Sequence, residues 1–295
     1  MPERVTNHHG TTNYSTSKAE SLNTASTDMN AIPATTHPHR ATLIAVLAIL
    51  LALVATTSRA DCMVHSGPRT AALVELYTSE GCSSCPPADR RLGTLVEALS
   101  ADAEIVPLAL HVSYWDELGW QDIYAQPAFD QRQQWLVQAN QQRTVYTPQF
   151  FIAGRELRTW HQDLDEAVRA VNARPAAAHI NIEAKPAGDS HLALDVVVAE
   201  VQTRATAVLY LAITENGLQS SVKRGENGGT TLTHEHVVHT WIGPLALPPA
   251  GHTEHRTLPL AKHWQRANLK VTAIVQDLKT GRVLQALRAQ HCAAS

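Results

Sequence analysis

The pair Cys82 and Cys85 stands between an apolar run and a helix-like run, and this placement constrains the fold of the 295-residue chain most strongly. The preceding run, Ala71 to Thr78, has the length and apolar content of a buried strand. The following segment opens with Pro86 and Pro87, which suit a first helical turn, and continues with leucines at helical spacing. The pair is therefore predicted to join the end of a buried strand to a helix.

The segments that follow predict an alternation of strands and helices. A second apolar strand covers Ile105 to Val112, a helix includes Trp135, a hairpin turns at Ala153-Gly154, and a last helix includes Leu164. The resulting order, β-α-β-α-β-β-α, matches the thioredoxin fold. Residues 61–175 are thus predicted to form an α/β thioredoxin-like domain.

The pattern changes after Pro175. Seven short strand-like segments follow, separated by glycine, proline and asparagine signals and by hairpin turns such as Gly188-Asp189. This spacing is typical of an all-β sandwich. Residues 176–295 are therefore predicted to form an all-β sandwich-like domain behind the thioredoxin-like domain.

The amino-terminal region reads as an export signal. Residues 1–40 are polar and are predicted to be disordered, and Met29 offers an alternative start that would make the preceding segment a non-native extension. Residues 41–60 combine a charged flank, a short apolar run and a small-x-small ending, as in a signal peptide. The alternative is an uncleaved anchor, which would be the only membrane attachment. Both alternatives place the body of the protein in the periplasm or outside a bacterial cell.

Export bears on the cysteines, because disulfides persist in oxidising compartments. The chain has four cysteines. With Cys82 and Cys85 forming a local pair, Cys62 and Cys292 remain near the two ends of the exported part, and a structural disulfide between them is predicted. The net charge of −3 and the absence of basic blocks argue against a nucleic-acid partner, and no cofactor is expected.

The predicted redox centre has two parts. Cys82 at the start of a helix would be activated as a nucleophile by the helix dipole, and Cys85 would resolve the mixed disulfide. Thr147-Pro148 directly precedes a predicted strand, where we expect a cis proline whose preceding residue, Thr147, presents backbone to an extended substrate. These four residues are the predicted catalytic set.

A second group of residues follows the strand that ends near Val112. The end of this strand is expected beside the cysteine loop, where a pocket would be lined by His111, Trp115, Asp116, Trp120 and Asp122. His111 could move a proton or, with the two thiolates of Cys82 and Cys85, bind copper(I). The alternative is an aromatic loop packed over the edge of the core. Apart from that copper set, no metal site is predicted.

Two further segments are interpreted as structural. His234, His236 and His239 do not have the spacing of a helical metal motif, and an exposed strand is predicted there. The glycine-rich segment from Arg224 to Thr231 lacks the lysine and helix of a phosphate-binding loop, and a flexible hairpin loop is predicted.

Four segments together resemble the domain of unknown function 1223 family, over about residues 70–290. They are "ELYTSEGCSSCPPAD", "HVSYWDELGWQD", "YTPQFFIAG" and "ITENGLQSSVKRGENGG". The resemblance implies an exported protein with a thioredoxin-like domain followed by a β-rich domain, and it implies no established reaction. The family pattern often has an aspartate where this chain has Ser113.

Three functions are compatible with the sequence. The first is an exported thiol-disulfide oxidoreductase acting on exported protein thiols or disulfides. The second is a copper-handling or other metal-handling protein that uses the copper set. The third is a non-catalytic protein that keeps a structural disulfide and binds an unknown envelope protein.

Overall fold

The secondary structure is dominated by strands in the computed structural model, which describes residues 63–99, 101, 103–202, 205–248 and 251–290. The α-helices of these residues are α1 (Pro86–Leu99), α2 (Pro127–Ala139) and α3 (Trp160–Asn172). Short 3-10 helices cover Ser113–Leu118 and Arg266–Asn268. The strands are β1 (Met63–His65), β2 (Ala72–Thr78), β3 (Ile105–His111), β4 (Gln149–Ile152), β5 (Arg155–Glu156), β6 (His179–Pro186), β7 (His191–Ala199), β8 (Ala207–Glu215), β9 (Leu218–Ser221), β10 (Thr231–His234), β11 (Val237–Ala246), β12 (His252–Pro259), β13 (Leu269–Asp277) and β14 (Val283–Gln290).

The strands of both halves of the chain share one large sheet. Its order is β14-β13-β8-β11-β3-β2-β4-β5, and a second sheet has the order β1-β6-β7-β12. The halves meet where β11 runs parallel to β3, with Val237 level with Ala109, and the Ala109 N–H donates to the His236 carbonyl at 2.9 Å.

The predicted fold class, an α/β thioredoxin-like domain followed by an all-β sandwich-like domain, is wrong. Strand accounts for 42% of the structure and helix for 22%, in large mixed and antiparallel sheets, so strands and not alternating βα units define the architecture. The physical reason lies in the two-sided burial of the central strands. Every residue of β8 is buried, which an edge or one-sided strand would not show.

Alternate residues of β8 enter two different hydrophobic cores. One core includes residues of all three helices and the other includes residues of β6 and β7. The residues on the helix side are Val208, Tyr210 and Ala212, and those on the side of the second sheet are Leu209, Leu211 and Ile213. The large sheet is therefore a shared middle layer, and its two faces are both covered.

Several predictions concern residues outside the described part of the chain. The polar segment 1–40, the signal or anchor at 41–60 and the Cys62–Cys292 disulfide all lie there. The predicted boundary at residue 175 stays a prediction, although Ser58–Ser295 form one compact unit. In the part of the chain that the structure describes, no helix has the length and apolar character needed to cross a membrane.

Candidate functional site

Cys82 and Cys85 form a disulfide in the loop between β2 and α1. Their Cα atoms are 5.4 Å apart. Two backbone hydrogen bonds shape the loop: the Cys82 N–H donates to the Ser79 carbonyl, and the Cys85 N–H donates to the Cys82 carbonyl, both at 3.2 Å. Because α1 begins at Pro86, Cys85 directly precedes the helix. Cys82 lies three residues earlier, in the loop.

Both cysteines are fully buried, at 0% exposure. The predicted nucleophile Cys82 is therefore closed to solvent in this structure. The loop between β9 and β10, residues 222–230 and here called the cover loop, contacts the cysteine loop directly. Its Asn227 side chain donates to the carbonyls of Glu80 and Cys82 at 2.9 and 3.0 Å. Its neighbour Glu226 accepts from the Ser83 N–H at 2.9 Å and from the Ser83 hydroxyl at 2.7 Å.

The cover loop is polar and mostly exposed. Of residues 223–230, only Asn227 is buried. Gly225 has φ +74, and a Cβ there would lie 3.1 Å from the Cβ of Trp120, so this position requires glycine both for its conformation and for its close approach. The hydrogen bonds to Ser83 lower the pKa of the exposed Glu226 carboxyl. The loop is thus held by hydrogen bonds and carries no apolar side chain into the core beyond Val222.

Two tryptophans also contact the cysteine loop. A Cβ on Gly81 would lie 3.6 Å from the Cβ of Trp115, which places the Trp115 side chain against the loop backbone. The Trp120 indole donates to Glu80 Oε2 at 2.6 Å. The structure thus brings both predicted tryptophans to the cysteine loop.

A group of buried ionisable residues lies behind the loop, and we call Glu80, Asp89, His111, Asp122 and His234 the buried polar cluster. The His111 and Asp122 side chains are joined at 2.7 Å between Nδ1 and Oδ2. The same Asp122 oxygen accepts from the Glu80 N–H at 2.8 Å. The rings of His111 and His234 are 5.2 Å apart, and Asp116 accepts from the Asp122 N–H at 3.1 Å. The predicted pocket residues His111, Asp116 and Asp122 are therefore neighbours.

The pKa shifts in the buried polar cluster have two main causes, which are burial and the pairing of His111 with Asp122. Burial lowers the pKa of His111, but the hydrogen bond to Asp122 and the charges of Asp122, Asp89 and Glu80 together raise it by more, so the net shift is upward. Burial acts to raise the pKa of Asp122, and the His111 charge and hydrogen bond lower it overall. Burial raises the pKa of Asp89, whose N–H donates to the Cys85 carbonyl at 3.0 Å. The cluster thus combines an ion pair with a carboxyl group that burial holds toward its protonated form.

Several buried atoms of the cluster make no hydrogen bond within the described residues. These atoms are Glu80 Oε1, Asp89 Oδ1, His111 Nε2 and both ring nitrogens of His234. His234 Nε2 does lie 3.3 Å from Glu80 Oε1, a charge contact without hydrogen-bond geometry. In the described part of the chain, no group of three or more His, Cys, Asp or Glu residues is placed to hold a metal ion. The copper set of Cys82, Cys85 and His111 therefore gains no geometric support.

The Thr147-Pro148 peptide bond is cis, so that prediction is confirmed. Gln149, the first residue of β4, pairs with Tyr77 on β2. The proline therefore stands level with the end of β2, the strand that leads into the cysteine loop. The Thr147 hydroxyl oxygen is buried and has no hydrogen-bond partner among the described residues.

Two predictions about the β-rich half are correct only in part. His234 ends β10, whose other residues are exposed or half-buried, but His234 and His236 are themselves buried, at 2% and 3% exposure. The glycine-rich segment from Arg224 to Thr231 does form the hairpin loop between β9 and β10, as predicted, but its contact with the cysteine loop was not predicted. Sequence reasoning also did not single out Asp89. Its position four residues after Cys85 in an amphipathic helix was the available signal.

The chain belongs to the family described as Protein of unknown function (DUF1223), whose model matches residues 73–276. The fold is similar to that of protein AGR_C_4864 from Agrobacterium tumefaciens, which is 22% identical over 78% of this chain and 98% of that one, with a TM-score of 0.53. It is also similar to HBP35 of Porphyromonas gingivalis, at 14% identity over 77% and 76% of the two chains and a TM-score of 0.57. No curated protein sequence matches the chain. At these identities the two structures support a similar fold and nothing more.

Proposed function

We propose that the protein is an exported thiol-disulfide exchange protein whose Cys82–Cys85 couple reacts when the cover loop is displaced. The observation that carries the proposal is the attachment of the cover loop to the cysteine loop. A polar, exposed loop is bonded at Glu80, Cys82 and Ser83, next to two fully buried cysteines, and these hydrogen bonds can be exchanged for water.

The exchange proceeds in two steps when the disulfide acts as the oxidant. A substrate thiolate attacks the Cys82 sulfur, a substrate–Cys82 disulfide forms, and Cys85 leaves as a thiolate. The second substrate thiolate then attacks the substrate sulfur of that mixed disulfide and releases Cys82. The substrate dithiol loses two electrons and two protons, and Cys82 and Cys85 gain them as two thiols. The reverse sequence reduces a substrate disulfide.

Asp89 is our candidate for a proton exchange with Cys85. It follows Cys85 by four residues, and its N–H donates to the Cys85 carbonyl at 3.0 Å, so it stands in the first turn of α1 next to the cysteine loop. Burial raises the pKa of the Asp89 carboxyl, which favours the protonated form that a proton donor needs. We assign Asp89 the proton transfer that accompanies release of Cys85.

A second candidate is favoured by the zero exposure of both sulfurs. On that account the disulfide is permanent, and the protein is a non-catalytic partner of another envelope protein. Structural disulfides resist reduction by glutathione because their reduction potentials lie below about −300 mV.

A redox titration separates the two candidates. The native protein is equilibrated in glutathione buffers of increasing reducing strength, its thiols are alkylated, and the peptide containing Cys82 and Cys85 is analysed by mass. The exchange function predicts a reversible two-electron transition with both forms populated within the glutathione range. A pair that stays oxidised at every ratio, and becomes reducible only in denaturant, would support the permanent disulfide instead.

A further inference from the structure

Ser83 follows the buried Cys82 in the chain and is itself exposed. Its backbone N–H and its hydroxyl both donate to Oε2 of Glu226, at 2.9 and 2.7 Å, and we call these two groups the Ser83 donor pair. Glu226 belongs to the cover loop and is 143 residues away from Ser83 in the chain. The structure therefore contains a carboxylate that is bound beside Cys82 by the residue next to it.

The Ser83 donor pair suits an ionised carboxylate. Both distances are short enough for hydrogen bonds to a charged acceptor, which are stronger than bonds to a neutral one. The two bonds lower the pKa of the Glu226 carboxyl, because they stabilise its ionised form. In the described part of the chain Glu226 has no ion pair, so the Ser83 donor pair and not a cation holds its side chain.

Opening of the cover loop frees the Ser83 donor pair. This step rests on the proposed function, in which the loop is displaced before a substrate reaches Cys82. Glu226 leaves with the loop, and the N–H and hydroxyl of Ser83 then lose the carboxylate that accepts from them. The donors thus become free at the moment when a substrate chain approaches the Cys82 sulfur.

A residue next to the substrate cysteine is close enough to reach these donors. The Cα atoms of two disulfide-bonded cysteines are about 6 Å apart, and those of Cys82 and Ser83 are about 3.8 Å apart. A residue adjacent to the substrate cysteine starts about 3.8 Å from it, and a glutamate side chain extends further by several ångströms. A carboxylate on either side of the substrate cysteine therefore spans the distance to Ser83.

We propose that the Ser83 donor pair selects substrates that carry a carboxylate side chain directly beside their reactive cysteine. In the closed protein Glu226 occupies the position that the substrate carboxylate takes, so the cover loop is an internal competitor. The partners are exported polypeptides with Asp or Glu next to the cysteine that exchanges with Cys82. The carboxylate contributes hydrogen bonds only and takes no part in the covalent exchange.

Two small peptides test this preference on the Cys85→Ser variant of the full chain. They are acetyl-Glu-Cys-Glu-amide and acetyl-Gln-Cys-Gln-amide, each with its cysteine joined to thionitrobenzoate by a disulfide. The Cys82 thiolate attacks the peptide sulfur, the Cys82–peptide disulfide forms, and coloured thionitrobenzoate leaves as a thiolate. The rate of each peptide is divided by its rate with N-acetylcysteine amide, which removes differences in intrinsic reactivity. We expect the glutamate peptide to react roughly fivefold faster on this scale, because its bonds to Ser83 are charge-assisted.

Two serine variants, each combined with Cys85→Ser, test the location. Ser83→Ala removes the hydroxyl donor and keeps the N–H, so the preference should fall to roughly twofold. Ser84→Ala removes the neighbouring exposed hydroxyl, which lies 3.3 Å from the Cys82 sulfur. Any resulting change in Cys82 reactivity affects both peptides alike, so this control should keep the full preference.

The outcomes separate this inference from the proposed function. Equal rates for the two peptides, or a preference that Ser83→Ala leaves intact, would refute selection by Ser83 and leave the exchange function standing. No reaction of either peptide with the native protein would refute the exchange function, and the selection with it.

Discussion

Asn227→Ala should accelerate the reduction of the Cys82–Cys85 disulfide by dithiothreitol roughly thirtyfold under native conditions. The replacement removes two hydrogen bonds that hold the cover loop to the cysteine loop. At a net contribution of about 1 kcal/mol each, their loss favours the open loop by about 2 kcal/mol. Alkylation of samples taken during the reaction, followed by mass analysis of the peptide with both cysteines, gives the rate.

The matched control removes a side-chain amide from another loop. Asn268 donates to Gln265 at 3.1 Å, away from the cysteine loop, and Asn268→Ala should leave the reduction rate unchanged. Glu226→Ala removes the two hydrogen bonds with Ser83 and should, like Asn227→Ala, accelerate reduction of the disulfide. Unchanged rates in both cover-loop variants would mean that the loop does not control access to the disulfide.

His236 should lower the stability of the folded protein in acid, at pH values well above those at which ordinary carboxyl groups become protonated. Burial, with Arg288 and Lys270 nearby, lowers the pKa of His236 from 6.5 to about 3. The unfolded chain therefore binds a proton below about pH 6.5 that the folded chain does not, and stability is lost as pH falls toward 3. Between pH 7 and pH 4.5 this loss is about 2.5 kcal/mol, because the full 1.36 kcal/mol per pH unit applies only once the unfolded histidine is mostly protonated.

His236→Asn tests this prediction, because asparagine tolerates the φ of +60 found at this position. The free energy of unfolding in urea is measured at pH 7 and pH 4.5 for both proteins. The other titratable groups affect both proteins alike, so the wild type should lose about 2.5 kcal/mol more than the variant between the two pH values. An identical loss in both proteins would mean that His236 does not titrate as described.

Local elements of the fold could be predicted from the sequence, because their patterns are local. The strand before Cys82, the helix after Cys85 and the strand beginning at Ile105 all occur nearly as predicted. Their arrangement in sheets could not be predicted in the same way. The run from Ala207 to Glu215 is buried on both faces, whereas the prediction of an all-β sandwich for residues 176–295 did not place it in a sheet shared with the first half of the chain.

The candidate site was predicted only in part, for a related reason. Cys82, Cys85, His111 and Asp122 lie close to one another in sequence, and the first strands of the chain bring them together. Asn227, by contrast, is 145 residues from Cys82 in the chain and reaches it only because β11 joins β3. No periodicity within the glycine-rich segment specifies that contact. The burial of His234 depends on the same long-range pairing.

The most direct test of the central claim is the capture of Cys82 in the Cys85→Ser variant. Oxidised glutathione is added to the native variant, and the glutathione adduct on Cys82 is located by mass, with Cys82→Ser as the control that has no such site. The account predicts an adduct on Cys82 in the native state, formed faster when Asn227→Ala is added. An adduct that forms only after denaturation would contradict it, because Cys82 would then be closed to exchange in the folded protein.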